Sequence, residues 1–324
     1  MQIGMIGLGR MGANLSRRLI KHGHNVVVSD VAEASVQALA ADGAQPASSL
    51  ADVVRQLTPP RAVWVMLPAG EATESTIAKL TDLLDAGDTI IDGGNTFWKD
   101  DLRRAKELKE RGLHHVDVGT SGGVLGATSG YCLMIGGEKD VVARLAPIFA
   151  ALSPGGEAPG QGSTAPQGWL HVGPNGAGHF VKMVHNGIEY GLMQAYAEGF
   201  QILAEANDTN VPVAERLPLR IDEIAEVWRH GSIVSSKLLD VTATALRQDA
   251  SLKDFSGKVD DTGEGRWTIQ TAIERAIPTM TLTAALYARF RSRRDVNFAD
   301  KVISAMRKGF GGHREAAGEP KSKS

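Results

Sequence analysis

The sequence lacks the features that mark several classes of protein. It has one cysteine, Cys132, which excludes an internal disulfide framework and points to a reducing compartment. No apolar run approaches the roughly 18 residues of a membrane span, so no membrane partner is expected. The formal net charge is only −2, with a pI near 6.5, and this balance implies neither nucleic acid nor an anionic membrane as a partner. Met1 leads directly into an apolar stretch and a glycine turn, without the charged n-region and cleavage site of a signal peptide, so a cytoplasmic chain is the expectation. Metal-ligand spacing is missing as well. The nine histidines include no His-x-x-x-His, carboxylates do not cluster at ligand spacing, and no metal is expected. No internal repeat is visible.

Glycine is the residue in excess, at 37 of 324, about 11% against a usual ~7%. A short apolar run meets Gly7-x-Gly9-x-x-Gly12, a helical pattern follows through Leu15, Leu19 and Ile20, and a second apolar strand, Asn25–Ser29, ends in Asp30. This order forms a dinucleotide fingerprint: glycines allow the tight turn and close approach of a pyrophosphate, and the helix N-terminus binds its charge. The cofactor contacts expected here are Gly7, Leu8, Gly9, Arg10, Met11 and Gly12. Asp30 stands about 20 residues on, where a carboxylate accepts ribose hydroxyls and repels a 2′-phosphate. NAD is therefore favoured over NADP.

Alternation of strand and helix then continues. Residues 62–67 read as a buried strand, 74–84 as a helix, 89–92 as a strand, 102–111 as a helix, and 115–118 and 133–135 as further strands. This pattern implies an α/β domain, a Rossmann-like doubly wound parallel sheet with ligands at the carboxyl ends of its strands. Three such ends carry glycine or proline: Leu67-Pro68-Ala69-Gly70, Asp92-Gly93-Gly94-Asn95 and Gly119-Thr120-Ser121-Gly122-Gly123. Leu67, Pro68, Ala69 and Asn95 are candidates for cofactor contact. The third end offers backbone N–H groups and a hydroxyl to a carboxylate. A stretch rich in Gly, Pro, Ser and Gln, 153–174, closes the first domain, 1–174. Periodicity is helical over 175–306, an all-α domain, and 307–324 reads as a tail, its end solvated. Met193, Trp228, Trp267 and Phe290 read as core residues, and Arg289, Arg291, Arg293 and Arg294 as a solvated basic face.

A helix over 176–190 places Lys182, His185, Asn186 and Glu189 at i, i+3, i+4 and i+7. At about 100° per residue, Lys182 and Glu189 lie only about 20° apart, two turns along the axis, with Tyr190 on the flank. A base-capable amine and a carboxyl on one face form a proton-handling surface; an ordinary solvated Lys–Glu face has the same spacing. Gly176, Gly178 and Gly187 let another backbone or a flat ligand approach that face.

Gly7–Gly12, Asp92-Gly-Gly-Asn95, Gly119-Thr-Ser-Gly-Gly123, the block from His179 to Gly191, Trp267-Thr268 and Phe310-Gly-Gly-His313 occur in this order. Together they resemble decarboxylating 6-phosphogluconate dehydrogenase in its short form, over nearly the whole chain. The resemblance implies a nucleotide-binding domain followed by one helical substrate and dimerisation domain. It also implies a homodimer or homotetramer whose sites are completed by a neighbouring subunit, and a sugar-acid phosphate as substrate. Carried over by motif, Lys182 is the general base toward the substrate 3-hydroxyl. Glu189 is the acid that protonates C1 of the enediol, giving ribulose 5-phosphate and CO2 with hydride passing to NAD. Asn95, Ser121, Gly122, Gly123, His185 and Asn186 resemble sugar-acid ligands. Tyr190, Arg289, Arg307 and His313 resemble the phosphate-end group, the last two from a neighbour.

Two departures stand out. Asp30-Val31-Ala32 lacks the arginine that NADP-using relatives carry there, and Thr262 and Glu264 replace a substrate-contacting lysine and threonine. A non-decarboxylating β-hydroxyacid dehydrogenase of the 3-hydroxyisobutyrate type looks similar through the first domain, but it gives Glu189 and the terminal Arg/His pair no role. A catalytically silent NAD-binding sensor would need only the glycines and Asp30.

Overall fold

The computed structural model describes residues 1–156, 162–294 and 298–311. The chain divides into two compact units, Met1–Ile188 with Thr262–Ile277 and Glu189–Asp261 with Pro278–Ser324. The first unit opens with β1 (Gln2–Ile6), α1 (Arg10–Lys21) and β2 (Asn25–Ser29). Next come α2 (Glu33–Ala41), β3 (Gln45–Pro46), α3 (Leu50–Gln56), β4 (Ala62–Val65) and α4 (Glu71–Leu83). β5 (Thr89–Asp92) and α5 (Trp98–Glu110) precede β6 (His114–Ser121), a 3-10 turn and the short α6 (Gly126–Ser129). β7 (Cys132–Gly137), α7 (Lys139–Leu152) and β8 (Trp169–Gly173) complete the sheet.

Among the described residues the sheet has eight strands in the order β3-β2-β1-β4-β5-β6-β7-β8. Chain order reverses between β1 and β4, and the crevice at the carboxyl ends of such strands is where α/β sheets bind ligands. All pairs are parallel except β6 with β7. The link from Ser121 to Cys132 is too short for the crossover of about a dozen residues that a parallel pair needs. β8 lies inside the stretch whose composition reads as a domain end. It pairs with β7 from Leu133↔Trp169, and the Trp169 ring packs on Phe149 with centroids 5.9 Å apart.

Strand residues alternate between two apolar layers. Val26, Val28, Trp64 and Ile91 enter one buried cluster, and Val27, Val63, Val65 and Ile90 enter the other. A sheet covered on both faces explains why these strands read as continuous apolar runs.

α8 (Ala177–Glu205) begins in the first unit and continues into the second. α9 (Ile221–Arg229) and α10 (Lys237–Gln248) belong to the second, α11 (Glu264–Glu274) to the first, and α12 (Met280–Ser292) and α13 (Phe298–Gly311) to the second. In the second unit Ala225, Ala243 and Leu246 form a small core with Phe200 and Ile221. Ser236 caps α10 by accepting the Leu239 N–H. Two expectations need correction here. Met193 is 40% exposed, rather than a core residue. Arg291 and Arg293 are not simply solvated: they pair with Asp300 and with Asp260 and Asp261. Among the described residues no helix is long and apolar enough to cross a membrane.

A buried charge cluster in the first unit ties α5, β5, β6 and the start of α8 together. Asp92 accepts from the Gly94 N–H (3.0 Å), Thr96 Oγ1 (2.7 Å) and Arg104 Nη1 (2.7 Å). Asp101 accepts from His115 Nε2 (3.0 Å) and His179 Nδ1 (2.7 Å), and Asp117 from the N–H groups of Gly176 (2.7 Å) and His179 (3.0 Å). Burial alone would lower the pKa of His179, but the charge and hydrogen bond of Asp101 override it and raise it to about 9. Burial would raise Asp101, yet His179 and His115 hold it well below the usual carboxylate range. Burial, with the charge of Asp101, pushes Asp117 up. Asp92, Asp101 and His179 bring ligand-type atoms within 4.8 Å of one another, but Arg104 already pairs with Asp92 and His179, with its raised pKa, with Asp101.

The raised pKa of His179 has a definite sign. Its contribution to stability is fully present below the ordinary value of 6.5 and is lost as pH rises through about 9. Thermal unfolding should therefore show Tm falling across that alkaline window. Breaking a buried ion pair by removing one partner costs about 3–5 kcal/mol, so Asp101→Asn should melt well below the parent near neutral pH and lose most of the alkaline slope. An Asp101→Asn curve that tracks the parent at every pH would disprove the pairing.

Candidate active site

The turn after β1 is held in the conformation the glycine motif requires. Gly7 has φ +90°, a region open to glycine at no steric cost, and its N–H donates to Ser29 O at 3.0 Å. A Cβ built on Gly12 would fall 1.9 Å from the Gly7 carbonyl oxygen, whereas one on Gly9 would meet nothing within 4 Å. The helix start thus packs directly on the turn and leaves the Gly9 backbone open, which fits a pyrophosphate. The Leu8 side chain is buried in the core, Met11 is half-buried and Arg10 is exposed. Asp30, at the end of β2, accepts the Leu8 N–H at 2.5 Å and the Ala32 N–H at 2.8 Å. Two backbone amides therefore orient its carboxylate, and Val31 beside it is fully exposed. After β4, Leu67, Pro68 and Ala69 lead into α4, and Thr73 Oγ1 donates to Pro68 O at 2.8 Å.

Lys182 is buried, at 8% exposure, and its Nζ donates to Asn95 Oδ1 at 3.0 Å. Asn95 lies within the loop that Asp92 pins through Gly94 and Thr96 on either side of it. Lys182 reaches this position because α8 lies unusually close to β6. A Cβ on Gly119 would stand 2.4 Å from Lys182 Cβ, and one on Gly178 would stand 2.5 Å from Asp117 O.

A second set of expected ligands forms a continuous hydrogen-bond chain. Ser121 Oγ lies 3.2 Å from His185 Nε2, His185 Nδ1 lies 3.0 Å from Asn186 Oδ1, and Asn186 Nδ2 donates to Glu264 Oε1 at 3.0 Å. Thr262 Oγ1 donates to Glu264 Oε2 at 2.5 Å, and Glu264 itself is 2% exposed. Gly122 and Gly123 follow Ser121 and are exposed. The sequence marks Thr262 and Glu264 only as departures; their tie to Asn186 depends on α11 docking against α8, which no local pattern reveals. The buried Asp101, His115, His179 and Arg104 also escape sequence reasoning, although a charged residue inside the apolar run Val116-Asp117-Val118 is a visible signal.

In the second unit, Glu189 is half-buried and Tyr190 buried. The Arg289 guanidinium lies 3.5 Å from the Tyr190 ring centroid, and its Nη1 donates to Asp260 O at 2.7 Å. The two residues expected at a phosphate are thus brought together, with the cation fixed over the aromatic face. Arg307 is exposed on α13. His313 lies outside the described residues.

Residues 2–158 match the profile described as the NAD binding domain of 6-phosphogluconate dehydrogenase, and residues 178–316 match the C-terminal domain of the same enzyme. The NAD(+)-dependent, decarboxylating 6-phosphogluconate dehydrogenase of Haloferax volcanii is 39% identical over 317 residues, 98% of this chain and 99% of its own. The NADP(+)-dependent, decarboxylating enzyme of Bacillus subtilis is 38% identical over 304 residues, 90% of this chain and 61% of its own. Among solved structures, the 6-phosphogluconate dehydrogenase of Plasmodium falciparum aligns with a TM-score of 0.76 at 28% identity, covering 100% of this chain and 67% of that one. With both domains matched and relatives this similar over nearly the whole chain, the chain belongs to the 6-phosphogluconate dehydrogenase family.

Proposed function

We propose that the protein oxidatively decarboxylates 6-phosphogluconate to ribulose 5-phosphate and CO2, with NAD as its preferred cofactor. The observation that carries this reading is the buried Lys182 amine, 3.0 Å from Asn95, on a helix that runs unbroken through Glu189. When bound, NAD supplies the nicotinamide that accepts the C3 hydrogen with its electron pair. Lys182 takes the 3-hydroxyl proton as that hydrogen leaves, giving a 3-keto acid. The ammonium so formed donates to the ketone oxygen while the C1–C2 bond breaks, and the electron pair of that bond moves into a C2–C3 double bond as CO2 departs. Glu189 then protonates the former C2, now C1 of the enediol, and the enol proton returns to Lys182. Ser121, Gly122, Gly123, His185 and Asn186 hold the sugar acid. Tyr190 and Arg289 take the phosphate end, where a guanidinium offers paired donors.

The cofactor preference rests on Asp30 and Val31. A carboxylate oriented by two amides accepts ribose hydroxyls, and no cation stands at position 31 to pair a 2′-phosphate. The expected kcat/KM for NAD exceeds that for NADP by at least about tenfold, roughly 1.4 kcal/mol. Steady-state rates with both cofactors check this, and Asp30→Asn with Val31→Arg should shift the ratio toward NADP. Equal use of NADP by the parent overturns the assignment.

The acid–base assignment is tested by assaying 6-phosphogluconate with NAD while trapping CO2. A general base contributes typically 10²–10⁴-fold, so Lys182→Met should lose reduction of the cofactor almost entirely. Glu189→Gln should remain a slower enzyme, held up after CO2 release. Lys182→Met with turnover within about tenfold of the parent excludes this mechanism.

The site is completed in trans on this reading: Arg307 and His313 of one subunit serve the phosphate end of another. Lys182→Ala and His313→Ala oligomers should each be impaired, the latter mainly in affinity for the phosphorylated substrate. Unfolding both together and refolding the mixture should restore part of the activity, because some sites then carry both parental residues. Mixed oligomers no more active than the sum of the two variants place the tail in cis or outside the site.

A further inference from the structure

In the second unit, residues 259–261 form no regular secondary structure and are held to the end of α12 by three side chains. Arg289 Nη1 donates to Asp260 O at 2.7 Å. Ser292 Oγ accepts the Val259 N–H at 3.0 Å and donates to Arg289 O at 2.8 Å. Arg293 bridges two carboxylates, with Nη1 3.2 Å from Asp260 Oδ1 and Nη2 2.9 Å from Asp261 Oδ1.

The two arginines stand one helical turn apart, yet their surroundings differ in charge. Arg289 meets a carbonyl oxygen, the Met193 sulfur at 3.5 Å and the face of the Tyr190 ring. None of these carries a formal negative charge, and among the described residues no carboxylate pairs with Arg289. A guanidinium has five N–H donors, so one held in this way keeps its charge uncancelled and donors in reserve for an anion. Asp260 threatens that state. Its side chain is 90% exposed, and so short a side chain stays near its own carbonyl, the atom that holds Arg289. Left to itself, that carboxylate would pair with Arg289 and repel a phosphate from the same place. Arg293 engages it instead, and also neutralises Asp261, whose side chain is only 2% exposed.

We propose that Arg293 is a positioning residue that keeps Arg289 open to a phosphate dianion by engaging the carboxylates of Asp260 and Asp261. This rests on the reading of Tyr190 and Arg289 as the phosphate end, and deepens it. Affinity for the phosphorylated sugar acid then depends on a residue that works through Arg289, by holding negative charge away from it.

Steady-state kinetics with 6-phosphogluconate and NAD test this. Arg293→Gln should raise KM for 6-phosphogluconate about fivefold, the upper range for an exposed charge contact. It should change kcat and KM for NAD little. Adding Asp260→Asn keeps the carbonyl that holds Arg289 but removes the released charge, and should restore most of the lost affinity. In an Arg289→Gln background, Arg293→Gln should cost almost nothing more, because the group it acts through is already gone. A folded Arg293→Gln with parental KM overturns the proposal, and so does a failure of Asp260→Asn to restore affinity. If Arg293→Gln does not fold, Arg293→Gln with Asp261→Asn removes the buried charge left uncompensated, and the same comparisons start from that variant. A parent that does not turn over 6-phosphogluconate defeats the phosphate-end reading and this inference with it. An active parent indifferent to the loss of Arg293 defeats this inference alone.

Discussion

The seat of α8 on the ends of β6 and β7 is the constraint on which the rest of the first unit's site depends. A helix start leaves unpaired N–H groups, and here Asp117, on β6, takes those of Gly176 and His179. Gly178 lets the helix backbone come so near that a Cβ would collide with Asp117 O and Met134 O, and Gly119 leaves room for the Lys182 stem. The position of the lysine is therefore set by main-chain sterics and a buried carboxyl. The long side chain contributes only the last few ångströms. The same carboxyl group sits beside the Asp101–His179 pair, so the anchoring of the helix and the charge balance of the interior are one problem with one solution.

A second consequence of the charge cluster concerns the loop that presents Asn95. Arg104 joins Glu74 on α4 to Asp92 at the end of β5, at 2.7 Å in each case. Asp92 passes that fixation to Gly94 and Thr96. The Lys182 partner is thus supported by side chains of α4 and α5 through the carboxylate of Asp92. A partly satisfied buried network is costly, so each member constrains the identity of the others.

Much of this was legible in the sequence, and for physical reasons. Val26–Ser29 and Thr89–Asp92 announce themselves because strands buried on both faces are largely apolar, and Gly7 and Gly12 because a tight turn under a helix tolerates nothing larger at those two positions. The block from His179 to Tyr190 gives its own helical spacing. Less was legible where partners come from distant segments. β8 is five residues of unremarkable composition, made a strand by its neighbour β7. The antiparallel turn of the sheet at β6 follows from the length of a loop, not from strand composition. Glu264 looks like a loss of a familiar pattern until α11 is seen to carry it to Asn186. Sequence patterns report what a segment wants locally; they carry no record of which carboxylate meets which amide across 78 positions.

Val31 offers a different lesson. It projects into solvent at the tip of β2, and surface positions of this kind change stability by no more than about ±0.5 kcal/mol when substituted. Asp30 is tied to the backbone, but its neighbour is bound to nothing in the fold. On the proposed reading of the cofactor site, the residue beside Asp30 that would meet a 2′-phosphate is thus also one that folding constrains little. A lineage can move between redox pools at this position without first acquiring a compensating change in its core.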